Sequence, residues 1–235
     1  MRYFWIIFNT AFWTTFLGLI GILISFFEFK KGKALGLCAR IWAKLILFFG
    51  KINYSVKNLD NLDRKTSYVF AGNHASGFDI LLAFAGLPYW IVSIAKLELR
   101  SIFILGFVMK SAGHIFIDRK NHDKAMKTLE KAKISLLKIP RSILLYPEGT
   151  RTIDGSIGNF KPGGIFLAAE VEMPIVPIYY SGTFNILKKG SWKIKNQKLE
   201  LRIGKPISTK KYTFKTRKEL AKRVRNEVLK LSEEN

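Results

Sequence analysis

Apolar residues crowd the first fifty positions and then break into short, spaced runs. From Tyr3 to Phe27 the chain carries 25 residues without a charge, among them Phe4, Trp5, Ile6, Ile7, Phe8, Phe12, Trp13 and Phe16. That length suffices to cross a bilayer. However, Asn9, Thr10, Thr14, Thr15 and Ser25 stud the run, and its aromatics are scattered rather than gathered at the ends. Leu35 to Phe49 is also apolar but places Arg40 and Lys44 four apart, on one helical face. This is the pattern of an amphipathic helix lying in an interface. The competing reading is a helical hairpin buried in a soluble protein. No short apolar region ends in a small-residue cleavage site, so the pattern does not read as a signal peptide.

After Gly50 the pattern alternates between β-rich runs and amphipathic helical runs. It predicts strands at Tyr54–Val56, Tyr68–Ala71, Trp90–Ile94, His114–Ile117, Ser142–Tyr146 and Ile175–Tyr180. Helices are predicted at Ile80–Leu87, Arg100–Lys110, Asp123–Leu137, Gly163–Val171 and Lys215–Leu231. Ala125, Leu129, Ala132 and Leu136 share one helical face, as do Leu220, Val224, Val228 and Leu231. Trp192-Lys193-Ile194 and the alternation Leu199–Ile203 predict a hairpin. Strands alternating with helices imply an α/β domain with a mixed, largely parallel sheet flanked by helices. The expected organisation is a two-helix membrane-attaching motif over residues 1–50 and an α/β domain over 51–235.

Charge narrows the partners. The net charge of +22 directs the chain toward polyanions: nucleic acid, an anionic membrane surface, an acidic protein or phosphorylated substrates. The apolar start favours the membrane, and no nucleic-acid-binding motif accompanies the charge. Lys30, Lys31, Lys33, Arg40 and Lys44 outweigh Arg2, which orients the rest of the chain toward the cytoplasm. A lone Cys38 excludes an internal disulfide and offers no metal-ligand cluster.

Candidate chemistry begins at Gly72-Asn73-His74-Ala75-Ser76-Gly77-Phe78-Asp79, a polar turn between a predicted strand and a predicted helix. An imidazole held by a carboxylate is a general base. Asn, Ser and Asp are also good helix caps, so His74 and Asp79 read equally as the start of a helix. Tyr146-Pro147-Glu148-Gly149-Thr150-Arg151 ends a buried strand, where ligands of open α/β sheets bind. Arg151 can grip a phosphate bidentately with Thr150 as a hydroxyl donor, or can simply pair with Glu148. Gly113 to Arg119 delivers a second guanidinium to a strand end, and Lys96 follows a third strand. His114 precedes an apolar run and reads as structural.

In order and content these segments resemble the glycerolipid acyltransferase family, of the PlsC or lysophosphatidic acid acyltransferase type. Its first block, Asn-His-x-Ser-x-x-Asp, is matched by Asn73, His74, Ser76 and Asp79. Ala-Lys-x-Glu-Leu is matched at Ala95 to Leu99, and Gly-x-x-Phe-Ile-Asp-Arg from Gly113 to Arg119. Phe-Pro-Glu-Gly-Thr-Arg is matched at Pro147 to Arg151, with Tyr146 for the usual Phe, and Val-Pro-Ile at Val176 to Ile178. The proline usually found after the second block is absent; Ser101, Ile102 and Phe103 stand there.

The resemblance implies that His74, oriented by Asp79, removes the proton from a lysophospholipid hydroxyl, which attacks a thioester without an acyl-enzyme. It implies Arg151, with Lys96, Arg119 and Thr150, as the acceptor's phosphate grip. Glu148 would organise the loop or touch the acceptor's glycerol part, and Gly149 would let the backbone approach closely. The expected reaction is sn-2 acylation of lysophosphatidic acid to phosphatidic acid, with another lysophospholipid or lyso-amino-acid lipid as the alternative acceptor. No cofactor and no metal is expected. The acyl donor, on acyl carrier protein or coenzyme A, is a substrate. Expected partners are membrane phospholipids rather than nucleic acid, at the cytoplasmic side of the inner membrane.

Overall fold

A computed structural model describes residues 2–27 and 32–234. Lys30 and Lys31, two of the cations in the orientation argument, lie outside the described residues. The order of elements is α1 (Arg2–Phe27), α2 (Lys33–Phe49), β1 (Tyr54–Lys57), β2 (Val69–Gly72), α3 (Phe78–Gly86), β3 (Ile91–Lys96), α4 (Phe103–Ser111) and β4 (Ile115–Ile117). Then follow α5 (His122–Lys138), β5 (Ser142–Leu145), α6 (Pro162–Glu170), β6 (Ile175–Ser181), α7 (Thr183–Ile186), β7 (Leu199–Ile203) and α8 (Arg217–Glu233).

The strands form one seven-stranded sheet in the order β1-β7-β6-β2-β5-β3-β4, parallel at every junction except β6–β7. Strand alternation sorts the core into two layers. Phe70, Leu144, Val176 and Ile178 pack with Leu82 and Phe84 of α3 and with Ala43, Ile46 and Leu47 of α2. Val69, Ala71, Ile143, Leu145 and Ile175 pack on the other face against α5, α6 and α8 through residues such as Leu136, Ile165 and Val224. Phe70 and Leu144 are fully buried; each such side chain contributes roughly 1.5–3 kcal/mol relative to exposure. The sheet is therefore flanked by helices on both faces, as the alternation in the sequence implied.

Two expectations need correction. The segment Trp192–Ile194 forms no strand, and the β7 alternation pairs instead with β6 (antiparallel) and β1 (parallel). Ile194 packs against the core while Trp192 stays exposed, so the two apolar residues that would share one face of a strand are not buried together. The helix expected from Arg100 also starts later. Residues Leu97–Ser101 form a 3-10 turn, Ile102 is extended, and α4 opens at Phe103. The Arg100 carbonyl lies so close to Gly106 that a Cβ there would meet it at 2.2 Å, a crossing that a continuous helix would not make.

The N-terminal helices share the core of the body. Asn9 donates to the Ile46 carbonyl at 3.0 Å, and the Trp42 indole donates to the Thr14 hydroxyl at 2.9 Å. Two of the polar residues that interrupt the apolar run thus face α2, where their hydrogen bonds are satisfied. Outward, Phe4, Phe8, Phe12 and Phe16 are exposed. Helix α1 is long and apolar enough to cross a membrane by length and composition, and only 11% of its apolar stretch is buried inside the protein.

Candidate active site

Parallel strands send their carboxyl ends to one edge, and at that edge the motifs meet. β2 delivers His74, β5 delivers the loop Tyr146–Arg151, β3 ends on Lys96, and Arg119 follows β4 two residues on. Asn73 ties this edge together. Its amide donates to the Tyr180 carbonyl at 3.3 Å, and its oxygen accepts from the Tyr180 N–H at 2.9 Å, joining the end of β2 to β6. The Ser76 hydroxyl donates to the Leu187 carbonyl at 2.8 Å and fixes the turn from the other side.

Asp79 lies in the first turn of α3 with no exposed surface. Its Oδ2 accepts three bonds: from His74 Nδ1 at 2.8 Å, from Ala75 N–H at 2.7 Å and from Ser76 N–H at 2.8 Å. A buried carboxylate requires such donors, and their charge-assisted bonds hold it rigidly. With Nδ1–H donating to Asp79, the lone pair of His74 sits on Nε2, the arrangement that lets an imidazole take a proton. The ring stacks on Tyr146 with centroids 4.1 Å apart, which sets its plane. Tyr146 is itself buried, and burial holds its phenol well above the usual range.

Glu148 uses both oxygens to tie its loop to neighbouring backbone. Oε1 accepts from the His74 N–H at 2.7 Å and Oε2 from the Gly158 N–H at 2.9 Å. Burial raises its carboxyl above the usual range, and the two backbone donors oppose that shift. Glu148 and Arg151 are not hydrogen-bonded to each other. Gly149 has φ +77°, the left-handed region that favours glycine, and its carbonyl accepts a bond from Arg119. Burial pulls the Arg119 guanidinium below its usual range, and the nearby charge of Glu98 opposes this.

A cavity of about 580 Å³ opens at this edge. His74, Lys96, Arg119, Thr150 and Arg151 line it, whereas Asp79, Glu148 and Gly149 stand behind the lining. Lys189 also lines it and donates to the Thr150 hydroxyl at 3.1 Å and to the Arg151 carbonyl at 3.3 Å. Its segment, Leu187 to Gly190, carries no motif; only the return of the chain after β6 brings it here. Away from the cations the lining is mostly apolar, with Leu17 and Gly18 of α1, Leu35, Ala39 and Trp42 of α2, and Leu105, Val108 and Met109 of α4, and with Thr10 and Thr14 as polar members. The N-terminal helices are thus walls of the cavity as well as an apolar surface. Among the described residues no cluster of His, Cys, Asp and Glu is arranged to hold a metal ion.

His114 lines the same cavity, and its Nδ1 accepts from the Ser93 N–H at 3.0 Å and pairs with the Ser93 hydroxyl at 2.7 Å. Burial lowers its pKa to about 4. It supplies β3 with an acceptor just before β4 begins.

At the carboxyl edge of the α/β sheet, a histidine held by a buried carboxylate thus shares one cavity with four cations and a largely apolar slot. The chain belongs to the Acyltransferase family, whose model matches residues 53–181, and it is an acyltransferase. It is 29% identical over 203 residues to the 1-acyl-sn-glycerol-3-phosphate acyltransferase of Haemophilus influenzae, covering 86% of this chain and 83% of the relative. It is 29% identical over 217 residues to the human 1-acyl-sn-glycerol-3-phosphate acyltransferase alpha, covering 92% and 76% respectively. Its fold matches the crystal structure of the LPA acyltransferase PlsC from Thermotoga maritima with a TM-score of 0.83. That match has 23% identity and covers 100% of this chain and 96% of the other.

Proposed function

We propose that the protein transfers an acyl chain from a thioester to the sn-2 hydroxyl of 1-acyl-sn-glycerol-3-phosphate, giving phosphatidic acid in phospholipid biosynthesis. The observation that carries this reading is that His74, with Asp79 behind it, lines one cavity together with the cations and the apolar residues of α1, α2 and α4. The names of its relatives supply the acceptor.

In this reading Arg151, Lys96 and Arg119 hold the acceptor's phosphate, with Thr150 as a hydroxyl donor and Lys189 as a further cation. The acyl chain occupies the slot between α1, α2 and α4. His74 Nε2 takes the proton of the sn-2 hydroxyl as its oxygen bonds to the thioester carbonyl carbon. The tetrahedral adduct then expels the thiolate, which His74 protonates, so the free thiol leaves and the imidazole is regenerated. Asp79 stabilises the intermediate imidazolium. Glu148 holds the His74 backbone, and Gly149 offers its carbonyl to Arg119. A thioester is already activated, so the step calls for no cofactor beyond the donor, carried on acyl carrier protein or coenzyme A. The exposed aromatic face of α1 fits an interfacial enzyme that dips into one leaflet, with its catalytic edge on the cytoplasmic side.

The test is thiol release from acyl carrier protein and coenzyme A thioesters with a panel of lysophospholipid and lyso-amino-acid acceptors. Turnover with lysophosphatidic acid that is lost in His74→Ala is the expected result. Turnover with another acceptor and none with lysophosphatidic acid would reject the assignment.

A further inference from the structure

Beside the catalytic edge, the corner where the turn Leu97–Ser101 meets α4 carries an apolar surface that none of the described residues covers. Phe103 is 89% exposed, and Ile102 and Phe107 are exposed with it. Packing decides which way this surface faces. Ile104 and Val108 of α4 seat against Gly18 and Gly21 of α1, so closely that a Cβ on Gly18 would lie 2.4 Å from Ile104 Cγ2. In a helix, the residues directly before and after a given position point to opposite sides of it. On α4, Leu105 lines the cavity on one side of Ile104, and Phe103 is exposed on the other. On α1, Leu17 lines the cavity on one side of Gly18, and Leu19 is exposed on the other. Both helices therefore turn their uncovered apolar residues to the same side of the seam. The α4 patch continues the exposed face of α1, which holds Phe12, Phe16, Leu19 and Leu23.

We infer that Ile102, Phe103 and Phe107 form a second membrane-inserting element, which enters an anionic bilayer beside α1 and holds the cavity wall at the lipid surface. The inference rests on the reading that α1 attaches the protein to a membrane. Two observations favour a bilayer over a second copy of this chain. Exposed Arg100 and Lys110 flank the patch and suit anionic head groups. A chain of net charge +22 repels its own copies. The consequence is functional, because Leu99 and Leu105, which bracket Ile102 and Phe103 in sequence, line the cavity. A lipid acceptor could then pass from the leaflet along this corner without its acyl chain crossing water.

The experiment uses the full chain in a Cys38→Ala background, with a polarity-sensitive fluorophore attached at Phe103→Cys or, as a control, at Lys131→Cys on α5. Equimolar phosphatidylglycerol–phosphatidylcholine vesicles should shift the emission of the probe at 103 to the blue and leave that at 131 unchanged. Phe103→Asp should lower vesicle affinity about tenfold or more, as expected from losing one buried aromatic side chain. Its rate of transfer in detergent micelles should match the wild type. A probe at 103 that stays in water while the chain is vesicle-bound would overturn the inference. So would an unchanged affinity of Phe103→Asp, or a blue shift that tracks protein concentration without lipid, which would mark self-association. A wild-type chain that does not bind these vesicles would remove the membrane role of α1 and this inference with it.

Discussion

Replacing Asp79 by Asn separates a helix cap from a charge that supports catalysis. Asn is as good a cap as Asp, and the amide oxygen can occupy the Oδ2 position and accept from Ala75, Ser76 and His74 as before. The amide nitrogen then takes the place of Oδ1, which is buried and has no hydrogen-bond partner among the described residues. Geometry is preserved and the negative charge is lost. Two unit charges about 4 Å apart interact by about 4 kcal/mol at an effective dielectric of about 20. Losing that support for the imidazolium should lower kcat by about 10³-fold, with KM for the acceptor little changed because Asp79 does not line the cavity. Thiol release with saturating acceptor measures this directly, and a thermal melt checks that the fold survives. If Asp79→Asn keeps kcat within tenfold of the wild type, Asp79 is a cap and its charge is not part of the chemistry.

Arg151→Ala should raise KM for a phosphate-bearing acceptor by roughly 10–100-fold, the worth of a hydrogen bond to a charged group; a smaller loss of kcat is expected, and initial rates across acceptor concentrations read both. Glu148→Gln sets an amide NH₂ against one of two backbone N–H groups, His74 or Gly158, and should destabilise the fold by about 1–3 kcal/mol, read as a lower melting temperature accompanied by reduced activity. Burial, helped by the nearby Arg141 charge, lowers the His114 pKa from the 6.5 of a free imidazole to about 4. The unfolded chain therefore binds a proton that the folded chain refuses between those values, and the contribution of His114 to stability, present above about pH 6.5, is lost as pH falls toward 4. The loss amounts to about 3 kcal/mol; denaturant melts at pH 7 and pH 4 should show a smaller difference for His114→Asn than for the wild type.

Much of the layout is legible along the chain because burial imposes period. The alternation of β-rich and amphipathic runs marks the strands and helices of the sheet, and the polar turn after Ala71 marks where β2 ends. Boundaries moved where a contact distant in sequence intervened. The Arg100 carbonyl crossing Gly106 delayed α4, and β7 found β1 and β6 rather than the nearby Trp192–Ile194 segment. The candidate site was legible as residue types at strand ends, since each strand delivers its own terminus.

The amino-acid sequence by itself determined the α/β class, the apolar start, the strong positive charge and the polar residues at each strand terminus, because these depend on local pattern and on composition. Only the tertiary structure decided which of those residues share a cavity. Parallel pairing brought Lys96, Arg119 and Arg151 around His74, while the same packing placed Asp79 and Glu148 behind it as supports. Lys189 joined the site from a segment with no motif, and α1 and α2 became walls of the slot. Such relations are set by strand order and helix contacts between residues far apart in the chain, and no local pattern encodes them.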